Sequence, residues 1–154
     1  MKSTENQKSL YARCTGPGAV DLKTLAARGD RAFASVSASY ERFLIQKLAS
    51  LAYLTKQCVE RPNEAEVHTQ LVQSVCDIRT SSSMAGKAAI TRFSLLLEQA
   101  LAQMQPYMKE YSDIVTVHIS AIGVAAIKER SEDELVALEQ NLLRIHFTLL
   151  ERSS

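Results

Sequence analysis

The sequence predicts an all-α protein: an up-and-down antiparallel helical bundle of four main helices plus a C-terminal helix. Three observations carry this. Apolar residues recur at three- and four-residue steps from about residue 30 onward, the period of an amphipathic helix. Helix breakers are scarce, with five Gly and three Pro in 154 residues, and all but Gly123 fall outside the periodic segments. No segment keeps the two-residue alternation of a half-buried strand. Ile114-Val115-Thr116-Val117 is β-prone, but its flanks continue the helical period.

Residues 1–28 read as an N-terminal arm, because Gly16-Pro17-Gly18 interrupts any helix there and leaves room only for a short helical turn over residues 21–28. Residues 29–154 read as the bundle. The first long helix is expected from Asp30 to Glu60, with Phe33, Val36, Tyr40, Phe43, Leu44, Leu48, Leu51, Thr55 and Cys58 on its buried stripe; Pro62 ends it. The second is expected from Asn63 to Ser83, on a stripe of Val67, Leu71, Val75, Ile78 and Ser82. Gly86 follows, free to take a left-handed cap conformation. The third spans Lys87 to Gln105, with Ile90, Phe93, Leu96, Leu97, Ala100 and Met104 inward, and Pro106 marks its boundary. The fourth spans Tyr107 to Arg130, with Tyr111, Ile114, Val115, His118, Ile122 and Ala125 on one face. The fifth starts at Ser131, where Ser131-Glu132-Asp133-Glu134 is a capping box: the Ser hydroxyl and the Glu carboxylate each satisfy one orphan backbone donor. Leu135, Leu138, Leu142, Ile145 and Leu149 form its stripe. Short connections then force consecutive helices to pack antiparallel.

Composition narrows the function. Apolar residues make up 46% and charged residues 23%, ordinary for a globular chain. A net charge of +1 lacks the basic field of a nucleic-acid binder. No apolar run approaches the roughly 20 residues of a membrane span, and the N-terminus lacks a signal-peptide core, so a cytoplasmic location is expected. Cys14, Cys58 and Cys76 are odd in number and far apart, which suits reduced thiols better than a disulfide framework or a zinc site. His68, His118 and His146 are scattered; they make no metal set, and His118 falls within an apolar stripe. Carboxylate pairs at catalytic spacing and Gly-rich phosphate loops are absent, so no cofactor and no enzymatic turnover are expected.

The most informative stretch is Val75-Cys76-Asp77-Ile78-Arg79-Thr80. At about 100° per residue, Cys76 falls roughly 140° from the centre of its helix's apolar stripe. It therefore faces outward, among Thr69, Val72, Arg79, Thr80 and Ser83. The stretch resembles the phosphoacceptor motif of the bacterial histidine phosphotransfer (Hpt) family in its short alphaproteobacterial form, which reads His-Asp-Ile-Arg-Gly with a further Gly ten residues after the His. Asp77, Ile78, Arg79 and Gly86 match, whereas Cys76 stands at the His position and Thr80 at the first Gly. Thr91-Arg92 and His118-Ile119-Ser120-Ala121 also resemble family segments, and the resemblance covers roughly residues 30 to 145.

The resemblance implies a bundle on which a response-regulator receiver docks. In that family an exposed imidazole exchanges a phosphoryl group with the receiver's Asp, beside a cation and small neighbours. Arg79 stands at the cation position. With Cys76 in place of the acceptor, the expectation is a degenerate module. It binds a receiver or a histidine kinase through Thr69, Val72, Cys76, Arg79, Thr80 and Ser83, and it modulates a phosphorelay without carrying phosphate. The alternatives are a structural or oligomerisation module that kept only the bundle, its largest apolar patch lying elsewhere, and a redox sensor centred on the Cys76 thiol. Oligomeric state is left open.

Overall fold

The structure is a computed structural model that describes residues 21–127 and 130–153. Residues 1–20 of the expected arm, Cys14 among them, and Lys128 and Glu129 lie outside the described residues. Among the described residues there are five helices and no strand: α1 (Leu22–Glu60), α2 (Ala65–Met84), α3 (Ala88–Gln103), α4 (Tyr111–Ile127) and α5 (Glu132–Ser153). The all-α bundle is thus the fold of the chain.

The helix α1 begins eight residues before the expected Asp30. Asp21 starts it: its side chain accepts the Lys23 N–H at 3.3 Å, and its carbonyl accepts the Leu25 N–H at 3.0 Å. The residues that follow are good helix formers, and Gly29 costs only about 1 kcal/mol relative to alanine, too little to break a helix with such flanks. By packing contacts the chain divides after Ala38 into one unit ending there and a second running from Ser39 to Ser154. In the first unit, Phe33 and Val36 are 70% and 61% exposed, against the expectation that they join the core. Periodicity marks an amphipathic face; it does not say whether anything covers it.

The second unit holds the bundle. Tyr40 pairs with Ser82 and Lys47 with Asp77, so α2 runs back along α1. Arg79 pairs with Glu98 across α2 and α3, and Arg92 with Glu139 across α3 and α5. The core gathers Leu44, Leu51 and Cys58 from α1, Leu71, Val75 and Ile78 from α2, Phe93, Leu97 and Leu101 from α3, Tyr111, Val115 and Ile122 from α4, and Leu142 from α5. Leu48, Phe43, Leu135, Leu138 and Ile145 pack against it half-buried. Each fully buried side chain of this kind contributes on the order of 1.5–3 kcal/mol.

The connections follow the chain's punctuation. Gly86 has φ of 70°, the left-handed conformation expected between α2 and α3, and it is the one described residue with positive φ. Pro106 delays α4: residues 107–110 form tight turns, with the Met108 N–H on the Gln105 carbonyl at 2.9 Å and the Tyr111 N–H on the Met108 carbonyl at 3.1 Å. The helix therefore starts at Tyr111 rather than Tyr107, and it is described as far as Ile127. The capping box closes as expected: the Glu134 N–H donates to Ser131 Oγ at 3.3 Å, and the Ser131 N–H donates to Glu134 Oε2 at 3.1 Å.

Candidate functional site

The apolar stripe of α2 fixes what its opposite side shows. Leu71, Val75, Ile78 and Ser82 are buried, so Cys76 is carried to the far side of the helix, where it is half-exposed. Thr69, Thr80 and Ser83 are exposed; Val72 and Arg79 are half-buried. Thr69 and Ser83 stand fourteen positions apart on one helix, about 21 Å. The six residues thus form an elongated ridge rather than a pocket. Val72, Cys76, Arg79 and Thr80 are its middle, and the other two mark its ends. Thr69 Oγ1 is turned onto its own helix, donating to the Ala65 carbonyl at 2.9 Å.

The electrostatics centre on Arg79. Its Nε donates to both oxygens of Glu98, at 2.8 and 2.9 Å, and its Nη2 points to Cys76 Sγ at 3.7 Å. The carboxylate raises the Arg79 pKa further above an already high value. Asp77, next to Cys76, leans the other way: Oδ2 accepts from Lys47 Nζ at 2.7 Å and Oδ1 from Gln73 Nε2 at 3.1 Å. Those two hydrogen bonds hold its pKa below the ordinary carboxylate value. Neither Glu98 nor Lys47 figured among the residues expected at the site. The signal for Glu98 was a lone carboxylate at the edge of the apolar run Leu95-Leu96-Leu97; its partner became visible only once α2 and α3 were laid side by side.

The serines and histidines play structural parts. Ser82 Oγ and Tyr40 Oη share a buried hydrogen bond of 2.6 Å, and Ser81 Oγ donates to the Asp77 carbonyl at 2.6 Å. His68 Nδ1 bonds Tyr111 Oη at 2.9 Å, and burial lowers its pKa. Tyr111 in turn meets the buried Cys58; burial raises both their pKa values. His118 sits in the core, bonded to the Ile114 carbonyl at 2.8 Å. None of these groups belongs to the Cys76 ridge.

Among the described residues no group of three His, Cys, Asp or Glu is placed to hold a metal ion, and no described helix is long and apolar enough to cross a membrane. A cavity of about 240 Å³ among Tyr40, Leu44, Leu48, Lys87, Ile90 and Ala125 includes no residue of the ridge. A convex ridge with one thiol, one guanidinium and small neighbours suits a macromolecular surface better than a small molecule, which takes a concave site. No family model, no curated protein and no solved structure matches the chain.

Proposed function

We propose that the chain is a non-catalytic binding module of a phosphorelay, resembling an Hpt protein that lacks its acceptor, and that a receiver domain or a histidine kinase docks on the Cys76 ridge. One observation carries this reading: Cys76 stands half-exposed at mid-helix, opposite the buried stripe, with Arg79 one turn away and small residues around it. That is the setting a phosphoryl-transfer imidazole needs, minus the imidazole. A thiol there forms no phosphohistidine. The module's effect on signalling is then competitive, occupying a partner surface without accepting its phosphoryl group.

The test is capture and transfer. Purified receiver domains are passed over the immobilised chain, and those retained are phosphorylated with radiolabel and mixed with wild type and with Cys76→His/Thr80→Gly. Wild type is expected to bind without taking label, and the double variant to acquire acid-labile label. Label on wild type would reveal another acceptor. Absence of binding by either form would remove the phosphorelay reading.

A structural or oligomerisation role is the second reading. It is favoured by exposed apolar side chains away from the ridge, Phe33 and Val36 on α1 and Val136 and Phe147 on α5. Loss of all receiver binding together with a concentration-dependent mass would select it.

A further inference from the structure

A guanidinium beside an acceptor position attracts a phosphoryl group to the extent that its charge is unopposed. Here it is opposed. Arg79 Nε is taken by both oxygens of Glu98, at 2.8 and 2.9 Å, and the Glu98 side chain is only 20% exposed. The carboxylate comes from α3, so it is held against α2 by the packing of the two helices rather than by a flexible loop. The pair has no net charge, so Glu98 offsets part of the attraction that an unopposed guanidinium would exert on a phosphoryl dianion near Cys76. Lys47 adds no compensating cation, because it is paired with Asp77 at 2.7 Å.

We infer that Glu98 is the positioning residue that sets which partner state the Cys76 ridge accepts: by neutralising Arg79 it makes the ridge favour an unphosphorylated partner surface over a phosphorylated one. The inference rests on the docking reading above and deepens it. A receiver bearing a phosphoryl group would bring negative charge against two ion pairs without net charge, Arg79–Glu98 and Lys47–Asp77, and would give up hydration with no net cation to replace it, whereas the unmodified receiver pays no such cost. A module that holds back unphosphorylated partners differs in consequence from one that sequesters phosphorylated ones.

Two measurements test it on the full chain. The first reads the field at position 76 without any partner. The imidazole introduced by Cys76→His is titrated by NMR with and without Glu98→Gln, and its pKa is expected to fall by about one unit when Arg79 is left unopposed. The second compares the affinity of a receiver captured by the wild-type chain, free and loaded with beryllofluoride at its phosphoryl position. Wild type is expected to favour the free form. Glu98→Gln should shift the ratio toward the loaded form by about tenfold, the change expected from exposing one charge at an interface, and Glu98→Asp should return both readouts toward wild type. A Glu98 that only braced the helices would lower the melting temperature and move neither readout, which overturns the inference while the docking reading stands. Failure of wild type to bind any receiver, with the imidazole shift present, removes the docking reading and the partner selection with it.

Discussion

Lowering the pH should destabilise this bundle through His118, and the sign and size follow from its surroundings. The ring is fully buried. Its Nδ1–H donates to the Ile114 carbonyl at 2.8 Å, which leaves Nε2 as a buried atom with no hydrogen-bond partner. Burial lowers its pKa from the ordinary 6.5; the Ile114 bond opposes that, and the neighbouring His146 adds to it. The unfolded chain therefore binds a proton more readily than the folded one. The stability contributed by the neutral ring is complete above pH 6.5 and is lost as pH falls from there toward the folded value. The slope approaches about 1.4 kcal/mol per pH unit for one histidine. By about pH 5.5 up to about 1.4 kcal/mol is gone, equivalent to a melting-point drop of about 3–6 °C for a chain of this size. Half-buried His68, lowered in the same direction, adds a smaller share. Asp77 lies outside this window, since its depressed pKa acts only below the ordinary 3.8. Urea denaturation of wild type and His118→Leu at several pH values between about 7.5 and 5.5 measures it. The wild-type midpoint should fall with pH, and the variant's should fall less by the share assigned to His118. If His118→Leu loses stability with pH as steeply as wild type, the buried-imidazole reasoning is wrong.

Thiol labelling of a Cys14→Ser chain should modify Cys76 quickly and Cys58 at least about a hundredfold more slowly, because Cys58 needs local opening and burial also raises its pKa; comparable rates would place Cys58 at the surface. Tyr40→Phe should cost about 1–2 kcal/mol by orphaning the buried Ser82 hydroxyl, and adding Ser82→Ala should recover part of it, a non-additivity that denaturant midpoints of the single and double variants would reveal. Ser131→Ala should cost about 1 kcal/mol through loss of the α5 cap, read as a lower melting temperature; an unchanged melt would mean the capping box contributes nothing.

Much of the fold was legible because each helix carries its own local instructions. Leu71, Val75, Ile78 and Ser82 recur at helical spacing and are buried; Ser131 and Glu134 reciprocate as spacing demands; Gly86 takes a left-handed conformation that glycine tolerates and other residues resist. The departures share a different origin. Gly29 did not stop α1, because one unfavourable residue is outvoted by its neighbours. The exposure of Phe33 and Val36 depends on what packs beside them, which no local pattern encodes. Within the candidate site, the outward direction of Cys76 followed from helical phase alone. Its electrostatic state did not, because Glu98 stands nineteen residues from Arg79 and acts on it only through the packing of two helices.

The flanking ion pairs of α2 carry a consequence for aim. A helix resting on a close-packed apolar stripe is free to roll about its own axis only by small adjustments. Asp77 is moored to Lys47 on α1, and Arg79, two residues on, is moored to Glu98 on α3. The moorings pull toward opposite neighbours, so a roll in either direction stretches one of them. Side-chain tips travel on a radius of about 5–6 Å, so a roll of about 20° would sweep the Cys76 sulfur by about 2 Å, enough to misdirect a group meant to meet a partner atom. The two opposed tethers thus trim small rolls of the helix, and the bearing of residue 76, set by the leucines and valines beneath, is held more closely by the charged groups at its flanks.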